Sequence, residues 1–282
     1  MNKSYIYMIL ASISIGTIGI LVKLIGTDIP IMTVNFFRVF IGLLFLLVTI
    51  PFIDKKWYKV TKKDLIEFAL IGIFFAISLS IYNTAMTYAP IQNVVLMNAI
   101  YPFFVFISAY LLLKEKITKT KIITLALGTV ALIIINPFQI GTSVIGNCLA
   151  LGSGVLYGIL ITLMRRTNKT HNIGAVLWFF LFATIILLPF PFIYGLGTFS
   201  ISWLYLLLLG IISTGLGYLL YNLALEKIEA ETASIIATII APIVAISLAV
   251  IIISETLNLR MILGGTLLII AAIYLQTHQL KE

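Results

Sequence analysis

Arg38 stands alone in "NFFRVFIGLL", a cation inside an apolar run. Counted from Ile31 at about 1.5 Å per helical residue, it sits roughly 10 Å inside the run. A charge at that depth is costly and normally faces protein or a wet cavity. It has two readings, a counter-charge for an anionic solute and a snorkelling or gating residue. Asn98 and Tyr101 lie three residues apart, on one helix face, just before Pro102. Thr238 stands in the corresponding place before Pro242. A proline frees the carbonyl four residues back, and polar groups in lipid need partners. Polarity and a helix irregularity therefore coincide there, as they do at the binding sites of carriers.

A stripe of Ser12, Gly16, Gly19 and Lys23 keeps one face of the first run small, and Gly154, Gly158, Ile161 and Arg165 repeat its spacing. Small residues allow close helix packing or leave room for a cavity. Tyr157 precedes Gly158 on that second stripe. Lys23 and Arg165 lie near run ends and read as headgroup anchors or as functional cations; Lys23 is also near Asp28. The pair Tyr82-Asn83 returns as Tyr221-Asn222. Near a run end, each pair is most simply a headgroup-level residue, since Tyr prefers that level. Tyr82, Asn83 and Asn222 are kept as weaker solute contacts. Glu115 and Glu255 each follow an apolar run, where a carboxylate opposes the helix dipole and needs an offset from Lys114, Lys116 or Arg260. They read as solvated ends or as gate latches.

The chemistry not expected is equally specific. The one cysteine, Cys148, forms no intrachain disulfide, and His171 and His278 lie outside the runs. No Cys/His spacing suits a metal, no phosphate-binding G-x-x-x-x-G-K-[ST] loop occurs, and no nucleophile–base set falls in the runs. An enzyme is therefore not expected, and neither is a cofactor. Asp and Glu are absent from the middle of every run, which leaves coupling through a mid-membrane acid without a candidate.

What positions these residues is a bilayer. The 282 residues are 61% hydrophobic and 10% charged, against about 25% charged in soluble domains. Ten apolar runs occur at 5–26, 31–53, 66–87, 91–113, 120–136, 143–164, 172–195, 201–224, 231–253 and 259–277. Each is long enough, or nearly so, for a spanning helix. The expected fold is an all-α integral membrane protein of ten transmembrane helices. The net charge of +8 comes from cations in the links, which points to orientation rather than to nucleic acid. Fifteen of the eighteen Lys and Arg fall on one side, so both termini are expected in the cytoplasm.

The two halves repeat. Tyr82 matches Tyr221, Pro102 matches Pro242, Glu115 matches Glu255, Gly128 matches Gly265 and Pro51 matches Pro191, all in one order. Five spans per half is an odd number, so residues 1–140 and 141–282 are expected as inverted repeats, the architecture of secondary transporters.

The paired segments "YPFFVFISAYLLLKEKIT" and "APIVAISLAVIIISETLN" resemble the EamA-type transporters of the drug/metabolite transporter superfamily. The resemblance covers essentially the whole chain. It implies export, or sometimes import, of small metabolites such as amino acids without ATP hydrolysis. It also implies a central cavity among spans 1, 3, 4, 6, 8 and 9. The family often carries a Trp-Gly pair on spans 1 and 6; here those places read Ile15-Gly16 and Tyr157-Gly158. The expectation is thus an alternating-access carrier in the cytoplasmic membrane, a monomer or weak homodimer, whose partners are a small-molecule substrate and the lipid bilayer. The rivals are a membrane scaffold or receptor and an intramembrane lipid-modifying enzyme.

Overall fold

The computed structural model describes residues 3–89, 94, 97–99, 101–135, 143–170, 174–254 and 259–279. Among them no strand occurs. A chain that leaves water must satisfy its backbone within each segment, and apolar runs of this length do so as helices. In order they are α1 (Lys3–Gly16), α2 (Ile18–Ile25), α3 (Ile31–Ile53), α4 (Lys62–Tyr88) and α5 (Tyr101–Leu113). Then come α6 (Lys119–Ile135), α7 (Val144–Thr170), α8 (Ala175–Leu187), α9 (Pro189–Tyr194) and α10 (Ser202–Leu208). A widened π segment (Leu209–Leu216) leads into α11 (Gly217–Leu225), followed by α12 (Ala230–Ile253) and α13 (Leu259–Gln279). Seven spans among the described residues are long and apolar enough to cross a membrane, with shorter apolar helices at Tyr101–Leu113 and Ile262–Ala271. The chain is a multi-pass membrane protein.

Local signals set the ends and breaks. Thr61 and Asp64 cap α4 reciprocally, the Asp64 amide donating to Thr61 Oγ1 (3.3 Å) and the Thr61 amide to Asp64 Oδ2 (2.8 Å). Thr17 divides α1 from α2, its hydroxyl donating to the Ser14 carbonyl at 2.7 Å. Elsewhere hydroxyls fold back onto the carbonyl four residues earlier, as Ser12 does to Met8 and Thr184 to Phe180, which satisfies them without water.

Packing runs mostly between the two halves of the chain. α4 lies against α7 and α8, α1 against α11 and α12, α3 against the π segment and α8, α5 against α7, and α6 against α13. Four crossings share one device. A methyl added at Gly16 would lie 2.8 Å from the Ala241 carbonyl oxygen and from Val244 Cβ. One at Gly158 would lie 2.9 Å from the Tyr101 oxygen and 2.7 Å from Phe104 Cβ. Gly72 stands in the same way on Phe179 and Phe182, and Gly210 on Arg38 and Ile41. Each glycine seats on a carbonyl and on the Cβ three residues further along.

These contacts predict a matched pair of outcomes. Gly72→Ala puts its methyl 2.7 Å from two atoms and should cost about 1–3 kcal/mol, the usual range for overpacking. Gly19→Ala meets nothing within 4 Å and should leave stability unchanged or slightly raised. Thermal unfolding of both variants in detergent checks the contrast.

Candidate functional site

Arg38 is buried, 6% exposed, on α3. Its Nε donates to Thr214 Oγ1 at 3.1 Å, and Thr214 donates in turn to the Leu209 carbonyl at 2.9 Å, five residues back. The widened turn thus presents a hydroxyl to the guanidinium. Such π turns are rare and recur at functional sites. They also give room here, because Gly42 of α3 sits close to Gly215 and Gly210. Among the described residues no carboxylate pairs with Arg38, and no acceptor takes its terminal nitrogens.

Tyrosines surround it. Tyr218, Tyr157 and Tyr82 lie near the guanidinium. Tyr218 donates to the Tyr157 hydroxyl at 3.2 Å, and the Tyr157 ring meets Tyr101 edge-on at 5.0 Å. The Tyr101 hydroxyl donates to the Ser234 carbonyl and accepts from Thr238, both at 3.1 Å. Phe75 and Phe180 back Tyr218. Tyr221 is buried beside them, and among the described residues its phenol oxygen has no hydrogen-bond partner. The irregularity of α10–α11 also meets that of α1–α2, since the Thr17 and Ser213 hydroxyls are 2.6 Å apart.

Asn98 Nδ2 donates to Ser153 Oγ at 2.9 Å, and Ser78 Oγ donates to the Ser153 carbonyl, joining the fourth, sixth and third spans. Asn83 is buried and donates to Asn35 Oδ1 at 2.7 Å, bonding α4 to α3. Asn222 and Tyr221 are each 1% exposed. Asn83, Tyr221 and Asn222 are thus covered by neighbouring helices, and Tyr82 is half-buried. Lys23 is exposed in the last turn of α2.

At the end of the bundle that carries most cations, Glu115 is buried. Its Oε1 accepts from Arg165 Nε at 3.1 Å and its Oε2 from the Ala230 amide at 3.0 Å. Arg165 also donates to the Leu225 carbonyl. The offset expected from Lys114, Lys116 or Arg260 comes instead from Arg165 and the start of α12. Arg165 is a buried partner rather than a headgroup anchor. Lys121, also buried, bonds Glu229 and the Lys116 carbonyl and lies 3.9 Å from Glu231 Oε2. This set draws together α5, α6, α7, α11 and α12. Lys114 takes a left-handed turn at the end of α5 (φ 55°), and Ser254 does so at the end of α12 (φ 54°). Glu255 lies outside the described residues.

At the opposite end Asp28 clamps the link before α10. Its carbonyl accepts from the Thr198 amide at 2.8 Å and its Oδ2 from the Ser200 and Ser202 hydroxyls, both at 2.7 Å. Gly197 (φ 74°) permits this approach, since a methyl there would lie 2.1 Å from the Asp28 carbonyl oxygen.

Sequence reading did not single out Thr214, Tyr218, Lys121 or Glu231. The run "GIISTGLG" carried a signal, a cluster of small and hydroxyl residues in an apolar span.

A multi-pass helical bundle with a buried cation and tyrosines at its centre has the design of a small-molecule carrier. Residues 2–136 and 144–277 match the EamA-like transporter family, and the chain belongs to that family. It is 28% identical to an uncharacterized transporter of Clostridium kluyveri, over 97% of this chain and 93% of that one. It is 23% identical to the pseudopaline exporter CntI of Pseudomonas aeruginosa, over 98% and 96%. A riboflavin transporter of Brucella anthropi is 26% identical over 53% of each. A solved crystal structure superposes over the full length of both chains with a TM-score of 0.86 at 14% identity, a likeness of fold.

The Asp28 clamp makes a pH prediction. The Ser200 and then the Ser202 hydroxyl favour the carboxylate and hold Asp28 below its usual value. A lowered value means that the clamp is fully present above the ordinary carboxylate range, about 3.9, and is lost as pH falls through the lowered value. Hydrogen exchange at the Thr198 and Ser202 amides, corrected for intrinsic rates, should stay slow down to that range and rise only below it. Asp28→Ala should raise it at neutral pH.

Proposed function

We propose that this chain is a secondary transporter of small amphipathic or anionic metabolites, working by alternating access, with export of amino acids or related compounds as its direction and class. It acts in the cytoplasmic membrane with both termini inside. The observation that carries the solute class is Arg38. A buried guanidinium with one neutral hydrogen bond and no carboxylate is expensive. A solute carboxylate at its terminal nitrogens removes that cost with a charge-assisted pair. Tyr82, Tyr157 and Tyr218 then offer apolar faces and hydroxyls to the rest of the solute. Asn98, Tyr101 and Thr238 complete the wall. The names of two relatives, an exporter and a riboflavin transporter, support a small organic solute.

Alternating access is supported by the pairing of contacts. Adding five spans turns the Gly158 crossing on Tyr101 and Phe104 into the Gly16 crossing on Ala241 and Val244. It turns Gly72 on span 7 into Gly210 on span 2, and the left-handed Lys114 into Ser254. The two successive family matches, 2–136 and 144–277, fit the same duplication. Ten helices in two inverted halves, residues 1–140 and 141–282, is the architecture this favours. Burial supports a form closed on the cation-rich side. Residues 230–239 of α12 are buried on every face, whereas 240–250 are partly or fully exposed on every face. The Glu115–Arg165 bond is the latch of that closed side. The carrier works as a monomer, since the halves supply both walls.

Flux into proteoliposomes across a panel of amino acids tests the solute class, and no flux of any carboxylate-bearing solute would sink it. Arg38→Ala should weaken transport by about 30-fold or more, the effect of roughly 2 kcal/mol, with wild-type thermal stability. Arg38→Lys, which keeps the charge and loses the fork, should retain part of the activity. Wild-type flux in Arg38→Ala would reduce Arg38 to a packing residue.

A further inference from the structure

Glu231 is fully buried in the first turn of α12, and among the described residues neither carboxylate oxygen has a hydrogen-bond donor. Among the described residues, the charged groups placed around it come from α5, α6, α7 and the residue before α12. Lys121 of α6 is 3.9 Å from its Oε2, and the Glu115 carboxyl at the end of α5 lies beside it. Arg165 of α7 is already bonded to Glu115, and Glu229, the residue before α12, to Lys121. Tyr5 of α1 adds a phenol near Glu229. Three carboxylates thus meet two cations. Glu229 is 44% exposed and reaches water, so with all five ionised the excess negative charge that burial penalises is that of Glu231, the group with no donor. An uncompensated buried charge of this kind is not tolerated, and two carboxyls in contact instead share a proton.

We propose that Glu231 and Glu115 form a proton-binding site that is part of the closure at the cation-rich end. One proton, taken from water, sits on Glu231 and is donated to the Glu115 carboxylate, whose two oxygens also accept from Arg165 and the Ala230 amide. The cluster is then neutral, and α12 stays docked against α5. Loss of the proton to water returns the excess charge, sets Glu231 against Glu115 and separates the start of α12 from α5 and α7. Closing this end takes up one proton and opening it releases one. The link between proton and opening rests on the alternating-access reading above; the proton site itself does not.

The experiment uses the full chain in lipid nanodiscs. Cys148→Ser removes the native thiol, and Ser234→Cys places a near-isosteric thiol in the buried turn after Glu231. Maleimide labelling is measured from mildly acidic to mildly alkaline pH and divided by the rate for the denatured protein at each pH. The corrected rate should rise with pH, by up to tenfold per unit, the limit for one linked proton. Glu231→Gln, which fixes the neutral form, should remain slow and flat. A flat profile without that substitution, or an unchanged slope with it, would overturn the linkage. Infrared difference spectra of the native sequence give a second reading. The carbonyl stretch of a protonated carboxyl should vanish on alkalinisation and be missing from Glu231→Gln. No such band in the native chain would overturn the proton site. Neither readout needs the solute, so a failed flux assay would count against the proposed function and not against this site.

Discussion

Helix backbones touch in this bundle, and the rest of the structure depends on that contact. In a bilayer no hydrophobic force draws one apolar helix to another, because lipid tails are as apolar as leucine. What remains is dispersion at close range and the hydrogen bonds that close range allows. Gly16, Gly72, Gly158 and Gly210 supply the range, each leaving space for a carbonyl and a Cβ of the facing helix. Because those crossings join one half of the chain to the other, they also fix where the interior polar groups meet. Gly210 stands on the Arg38 carbonyl itself, four residues before Thr214 receives the Arg38 side chain.

From that contact follows the local distortion of α10–α11. A regular helix would present a different face every hundred degrees. The widened turn at Leu209–Leu216 lets Ser213 reach Thr17 and Thr214 reach Arg38 at once. Two interrupted helices therefore share a hydrogen bond at the level of the buried cation. A displacement of Arg38 therefore bears directly on the turn that also holds Thr17. Packed structures convert small shifts of this kind into discrete rearrangements.

Much of this was legible in the chain. Length, hydropathy and the side taken by the cations need only local composition, and the expected runs coincide with the helices to within a few residues wherever both are described. Gly16 and Gly158 were readable as small positions, though not which carbonyl each would meet. Arg38 stood out because a charge that deep in an apolar run is costly, whether it serves a solute or snorkels. What local reading misses is rotation. Tyr221 and Asn222 look exposed near a helix end until the neighbours that cover them are placed. Arg165 and Glu115 are fifty residues apart, and nothing near either names the other. Glu231 and Lys121 are separated by still more, and a Glu at a helix start is ordinarily a dipole partner in water. Burial alone makes it unusual.

The division of α12 has a consequence for how the protein can change. Its first ten residues are enclosed on all sides, and an altered volume there must displace neighbouring helices. Its outer half touches protein on some faces and is open on others. Variation in size between Ile243 and Val250 therefore meets less resistance and leaves residues 230–239 undisturbed. One helix holds both a fixed lock and an adaptable wall. A laboratory search for new solute preferences would profit from randomising the second part and leaving the first untouched.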